Sequence, residues 1–210
     1  DFLSHIPLLS SNSKQILDQN SEGRPAITLT YAQSLDGKIS RADQRLLLSG
    51  DESAAMTHRL RTMHDGILVG VGTTLFDDPQ LSVRLVPEGV LPGVRHPQPI
   101  VLDSKLRTPP TARLLTGPQN NPRLHPPWIV TGTDHNIQRR VELERAGARV
   151  IVIDDCDKAG RPRLTAVAAT LWRSGIQRLM VEGGAHVIQS FLRSQLVDVL
   201  IITIAPVLVG

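Results

Sequence analysis

The chain has 210 residues, 40% of them hydrophobic, with a formal net charge of +3 and a pI near 9.5. This length allows one α/β unit with a sizeable core, and the single cysteine, Cys156, excludes an internal disulfide and any multi-cysteine zinc site. With 3% aromatic residues, no clustered basic stripe and no apolar run near the ~18 residues of a membrane span, neither nucleic acid nor membrane is an expected partner.

Residues 1–25 are polar and weakly patterned and read as an N-terminal arm. Ala26–Ala32 (AITLTYA) has the apolar and β-branched content of a buried strand. SLDGKIS follows as a turn with Asp36-Gly37 at its tip. Ser49-Gly50-Asp51-Glu52 has capping-box spacing and predicts a helix to about Met63. Gly66–Val69 predicts a strand, Gly70-Val71-Gly72 a turn, and Thr73–Asp78 a short helix stopped by Pro79. Residues 86–98 and 108–127 are proline-rich and read as loops on either side of a strand at Pro99–Leu102, which runs into Asp103-Ser104.

Beyond them, Trp128–Thr131, Val150–Ile153, Arg178–Val181 and Val199–Ile204 predict strands. Asn136–Ala146, Leu164–Ser174 and Ala185–Ser194 predict the helices between them, the first two closed by Gly147 and Gly175. A β-α-β-α-β-α-β order predicts an α/β fold with a mostly parallel sheet flanked by helices. The chain stops at Gly210 just after the apolar run VLIITIAPVLVG, so further C-terminal strands are expected to be missing.

Two glycine turns each follow a strand and open a helix: GVGTTL at Gly70–Leu75 and EGGAHV at Glu182–Val187. Such turns place free backbone N–H groups and a helix dipole where an anion can sit, and two of them can border one crevice. Leu75 stands where a Rossmann fingerprint has its third glycine, and the acid expected ~20 residues on is absent, so an ordinary Rossmann dehydrogenase is disfavoured. Asp77, Asp78 and Arg84 could grip sugar hydroxyls and a second phosphate. His58 and His64 lie six residues apart, about 240° around a helix, and cannot share a metal on one face; no metal site is expected. There is no G-x-S-x-G.

TYAQSLDGKIS, MTHRLRTMHDGILVGVGTTLFDDPQLSVR, PIVLDS, LMVEGGAHVIQSFL and LVDVLIITIAPVLVG occur here in the order found in the riboflavin-pathway pyrimidine reductases. From about Ala26 to Gly210 the chain resembles that family: the stand-alone reductases, and the reductase domain of the bacterial bifunctional deaminase-reductase. The MTHRLRTMHDGILVG wording is closer to the stand-alone fungal type, and no zinc deaminase signature is present. The resemblance implies a single reductase domain over 26–210 with a dihydrofolate-reductase-like fold. It also implies NADPH as hydride donor, a homodimer, and a phosphorylated pyrimidine as the small-molecule substrate. The cytoplasm, a reducing compartment, suits a chain with one thiol.

The implied reaction reduces the ribosylamino group of 2,5-diamino-6-(ribosylamino)-4(3H)-pyrimidinone 5′-phosphate to ribitylamino. Carried over by motif, Ala32, Thr73, Asp77 and Ser104 would line the cofactor, and Gly183, Gly184, Ala185 and His186 would cradle its phosphates. Arg61, Leu81, Arg84 and Glu182 would bind substrate. Asp77 could also stabilise positive charge near C1′, Glu182 could accept from the pyrimidine amino groups, and Lys38 could relay a proton for ring opening. The alternatives are a reductase of the same fold acting on the deaminated pyrimidine or a pterin, and a nucleotide-binding protein without turnover.

Overall fold

The computed structural model describes residues 23–39, 48, 50–86 and 93–210. Within them, β1 (Ala26–Ser34), β2 (Gly66–Gly70), β3 (Gln98–Leu102), β4 (Trp128–Gly132), β5 (Arg149–Ile153), β6 (Arg178–Val181) and β7 (Val199–Ala205) form one sheet. Its order is β5-β4-β3-β2-β6-β1-β7. Each pairing between neighbours is parallel. Six helices lie among the described residues: α1 (Asp51–Arg61), α2 (Val71–Asp77), α3 (Arg113–Asn120), α4 (Ile137–Arg145), α5 (Leu164–Arg173) and α6 (Ala185–Ser194). The expected α/β architecture is therefore present.

Strand alternation explains why both faces carry helices. Ile27, Leu29, Leu68, Ile100, Val130 and Ile151 point to one face and pack with Val167, Ala168 and Leu171 of α5 and Ile188 and Phe191 of α6. Their strand neighbours point the other way: Ile67, Val69 and Val101 pack with Leu114, and Ile129 and Val150 pack with Leu115 and Leu143. Near-continuous apolar strands are the signature of a parallel sheet covered on both sides.

Helix ends follow local chemistry. Asn136 caps α4 by accepting from the Arg139 N–H at 3.1 Å. Gly147 and Gly175, at φ 103° and 94°, take the left-handed conformation just past α4 and α5, as the sequence predicts. At the other end of the chain, Arg24 grips Asp198 with two bonds of 2.7 Å, so the residues before β1 are tied to the entry of β7.

Four local expectations are corrected. The strand β2 runs to Gly70 and α2 starts at Val71, so Gly70-Val71-Gly72 is not a separate turn; Val71 is buried among Val69, Leu81 and Leu114 and draws the helix back onto the sheet. The second proline-rich segment contains α3, stabilised by burial of Leu114 and Leu115. Pro118 sits near its end, where one lost backbone bond costs little continuation. The capping box does not form as drawn: Gly50 is the N-cap of α1 without a side-chain cap, α1 ends at Arg61, and Ser49 lies outside the described residues. Finally, β1 extends to Ser34 because β7 continues beside it, pairing Ser34 with Ala205. The N-terminal arm up to residue 22, and residues 87–92 of the first proline-rich loop, also lie outside the described residues.

Candidate active site

The strand order determines where a ligand can enter. From β2 the chain moves outward to β3, β4 and β5, whereas from β6 it moves across β1 to β7. β2 and β6 are neighbours, so their carboxyl-terminal exits diverge and leave a crevice between them. The direct β2–α2 junction at Gly70-Val71 and the Glu182–Gly184 turn stand at these exits. The Gly70 N–H points at the Gly183 carbonyl at 3.5 Å, and Glu182 N–H bonds the Leu68 carbonyl at 3.0 Å. A cleft of about 700 Å³ opens over them. That size suits a cofactor-and-substrate site.

Glycine is required twice here. A Cβ on Gly70 would lie 2.6 Å from Val187 Cγ2, so the end of β2 and the first turn of α6 touch directly. Gly184 has φ +85°, and a Cβ there would lie 3.0 Å from Thr73 Oγ1. Backbone, Thr73 hydroxyl and the start of α6 thus converge on one wall. An α-helix start leaves N–H groups without intrahelical partners, and this wall is shaped to offer them to phosphate oxygens.

Most of the residues anticipated from sequence meet in this cleft. Ala32, Thr73 and Asp77 line it together with Gly183, Gly184, Ala185 and His186; so do Arg61, Leu81, Arg84 and Glu182. Ser104 and Lys38 do not. Ser104 follows β3, and its carbonyl accepts from Thr131 Oγ1 at 3.2 Å. Lys38 is exposed in the turn after β1, where its N–H bonds Ser34 Oγ at 2.9 Å.

The charged pair at the cleft wall is the most ordered part of the site. Arg61, the last residue of α1, donates from Nε to Glu182 Oε1 at 2.7 Å and from Nη2 to Oε2 at 2.6 Å. Its Nη1 reaches the Ser82 carbonyl at 2.8 Å. The two side chains are 10% and 12% exposed, so the fork is held where water competes poorly. Arg61 and Glu182, both anticipated as substrate ligands, are therefore bound first to each other. Each Glu182 oxygen still has a lone pair for a second donor.

Residues 81–84 are held from three sides. Besides Arg61 on the Ser82 carbonyl, His96 Nδ1 accepts from Val83 N–H at 3.2 Å and His58 Nδ1 accepts from Arg84 N–H at 3.0 Å. A ring nitrogen that accepts is unprotonated, so both histidines work as neutral imidazoles. Burial, then the charges of Arg61 and Arg84, pushes the His58 pKa down to about 4. Desolvation followed by Arg123 and His125 lowers that of His96. Leu81 takes φ +52°, turning the chain so that Leu81 and Arg84 both reach the cleft. His64 has a purely internal role: its Nδ1–H donates to the Leu60 carbonyl at 2.7 Å, and Nε2 accepts from Thr28 Oγ1 at 2.9 Å.

Sequence reasoning missed Arg113, Tyr31 and Gln80, which also line the cleft. Arg113 begins α3 in a segment read as loop; the apolar pair Leu114-Leu115 was the available signal. It also missed what Asp78 does. This residue ends α2 at φ 42° and its Oδ1 accepts from Arg113 N–H at 2.9 Å, joining α2 to the start of α3. Among the described residues no cluster of His, Cys, Asp or Glu could hold a metal, and no helix is long and apolar enough to cross a membrane.

Comparison with known proteins agrees with this geometry. Residues 25–210 match the family model described as RibD C-terminal domain. The chain is 35% identical over 211 residues to the 2,5-diamino-6-ribosylamino-4(3H)-pyrimidinone 5′-phosphate reductase of Debaryomyces hansenii, covering 97% of this chain and 84% of that one. Among solved structures, it superposes on the riboflavin biosynthesis reductase of Saccharomyces cerevisiae with a TM-score of 0.71 at 31% identity, over 93% of this chain and 83% of that one. It superposes on RibD of Acinetobacter baumannii with a TM-score of 0.77 at 26% identity, over 95% of this chain but only 51% of that longer one.

Proposed function

The chain belongs to the RibD C-terminal domain family, and from that premise we propose that it is the reductase of riboflavin biosynthesis acting on 2,5-diamino-6-ribosylamino-4(3H)-pyrimidinone 5′-phosphate. The observation that carries the reading is the meeting of the Gly70 junction and the Gly183-Gly184 turn with the Arg61–Glu182 fork in one cleft. A turn wall suited to phosphates stands beside a fixed carboxylate suited to an aminopyrimidine. The matched relatives name the same substrate, and the fold is dihydrofolate-reductase-like, as the resemblance implies.

NADPH is the proposed hydride donor. Ala32, Thr73 and Asp77 with the Gly183–His186 wall would hold it, and its bound nicotinamide would supply the hydride. The chain's own residues position the partner. Arg61 fixes the plane of Glu182, so that the carboxylate can take the pyrimidine amino groups and orient the ring. Asp77 takes sugar hydroxyls and offsets positive charge as C1′ becomes electron-poor on ring opening. Lys38 and Ser104, also carried over by motif, stand outside the cleft, so neither is given a part in the reaction. A homodimer is part of the same proposal: among the described residues β7 pairs with β1 alone, and Leu200, Ile202 and Ile204 along it are exposed.

The test follows loss of NADPH absorbance with the diamino ribosylamino phosphate and, in parallel, with its deaminated analogue. Oxidation with the first and little with the second is expected. The reverse preference would move the chain to the bacterial-type reaction, and no oxidation with either would refute the assignment. Asp77→Asn is expected to lose turnover; a kcat near wild type removes Asp77 from the chemistry. Light scattering of the eluting protein reads the oligomer directly.

A further inference from the structure

We propose that Asp36 is a positioning residue for the cleft: its carboxylate clasps the chain that follows β7 and so fixes the wall formed by Tyr31, Ala32 and Ile39, on which NADPH affinity depends. The dependence on NADPH rests on the function proposed above; the clasp and the wall stand without it.

Asp36 is exposed in the turn after β1, where a carboxylate ordinarily meets only water. Here three donors converge on it. Ser34 Oγ donates to Oδ1 at 2.6 Å, the Val209 N–H to Oδ1 at 3.0 Å and the Gly210 N–H to Oδ2 at 3.0 Å. The two backbone donors lie 173 and 174 residues further along the chain. The Ser34 hydroxyl, then the Val209 N–H, hold the Asp36 carboxyl down to about 2, so it stays ionised at neutral pH. Bonds to an ionised acceptor are about twice as strong as neutral ones.

The clasp carries the sheet past its last strand pair. β1 and β7 run in register to Ser34 and Ala205, and the Leu35 N–H then reaches the Val207 carbonyl at 2.9 Å. At the same point the β1 chain reverses. The Ser34 N–H bonds the Lys38 carbonyl at 2.9 Å, the Lys38 N–H returns to Ser34 Oγ at 2.9 Å, and Gly37 takes φ +75°. Ser34 Oγ therefore accepts from the returning chain and donates to Asp36 at once. The reversal delivers Ile39 to the cleft beside Tyr31 and Ala32. Tyr31 and Ile39 pack on the same core as Val187, which lies in the first turn of α6 just past Gly183 and Gly184. A displaced turn is thus passed to side chains that back the proposed phosphate wall. Arg24 and Asp198 pair at the opposite, amino-terminal ends of the same two strands, away from the cleft.

The experiment compares wild type, Asp36→Ala, Asp36→Asn and the control Arg24→Gln as full chains. An asparagine keeps the oxygen that takes Ser34 and Val209 and loses only the Gly210 bond, so it should fall between wild type and alanine. Calorimetric titration should show the NADPH Kd raised about tenfold in Asp36→Ala and about two- to threefold in Asp36→Asn, with kcat at saturating NADPH within about twofold of wild type. Arg24→Gln should lower the thermal midpoint and leave the Kd unchanged. Hydrogen exchange followed by mass spectrometry reads the wall without any ligand: residues 31–39 should lose protection in Asp36→Ala and keep it in Arg24→Gln. An unchanged NADPH Kd in Asp36→Ala overturns the proposal. So does an equal rise in Arg24→Gln, which would make Asp36 one more stabilising contact. A wild type that binds no NADPH refutes the proposed function and the dependence on NADPH with it. Exchange then decides the clasp: lost protection of 31–39 in Asp36→Ala supports it, and unchanged protection refutes it.

Discussion

A methyl group added at Gly70 should act on the cleft through one side chain. In Gly70→Ala the new Cβ lies 2.6 Å from Val187 Cγ2, with no other heavy atom closer than 3.9 Å. Carbon atoms rest at about 3.5–4.0 Å, so a gap of roughly 1 Å must open. Val187 is in the first turn of α6 and packs on the core that includes Ile188 and Phe191. A valine in a helix has one strongly preferred rotamer, so it yields mainly by moving its backbone. Overpacking of this kind costs about 2 kcal/mol, which for a chain of this length is roughly 4–8 °C of thermal midpoint. The same displacement pushes the Gly183–Gly184 wall out of register, so KM for NADPH should rise at least about tenfold if a few ångström-tenths of misplacement matter there. Removing the obstruction in Gly70→Ala/Val187→Ala should restore most of both losses relative to Val187→Ala alone, a coupling read by a double-mutant cycle. The contact argument fails if Gly70→Ala melts and binds like wild type, or if the cycle shows no coupling.

Three further outcomes follow from the geometry. Burial lowers the pKa values of His58, His64 and His96, that of His58 to about 4. The unfolded chain takes up these protons below about pH 6.5 and the folded chain does not, so stability is flat above that pH and declines as pH falls from about 6.5 to 5. Urea midpoints across this range should show the decline, with a shallower slope in His58→Asn, whose side-chain oxygen can still accept from Arg84; a flat wild-type profile contradicts it. Arg61→Met strands the Glu182 carboxylate and should cost about 3 kcal/mol, while Arg61→Met/Glu182→Gln should recover at least half. Equal losses in calorimetry would mean the fork adds nothing beyond shape. Phe191, 2% exposed on α6, should cost about 3–5 kcal/mol as Phe191→Ala, and a loss under about 1 kcal/mol would show that the core closes around the gap.

The fold was largely legible because its strands are apolar on both faces and its later helices carry plain stop signals. Gly147 and Gly175 mark two ends, and Ala185–Ser194 was bounded correctly. Legibility failed where tertiary burial overrides local composition. Proline content around α3 masked a helix formed by the packing of Leu114 and Leu115 against the sheet and α4. In the site, sequence motifs named which residues gather but not how they pair. No spacing rule says that Arg61 and Glu182 meet across the sheet, or that His58 and His96 serve as acceptors for the backbone of Val83 and Arg84. The Arg61–Glu182 contact spans 121 residues and forms only when β6 enters between β1 and β2, whereas the histidine contacts, over 26 and 13 residues, depend on how residues 81–84 fold back.

That insertion has a consequence for the order in which the protein can form. β1 pairs Ala26 with Arg178 and Thr28 with Val199, and none of its neighbours comes from the intervening strands. During synthesis, β2 to β5 can associate as they emerge, while β1 must wait, unpartnered, until β6 has been made. Closing so long a loop late gives a high contact order and slow final assembly. The cleft lies at the β2–β6 seam, so the site cannot exist before β6: a chain interrupted before Arg178 can pair β2 to β5 but lacks the Glu182–His186 wall.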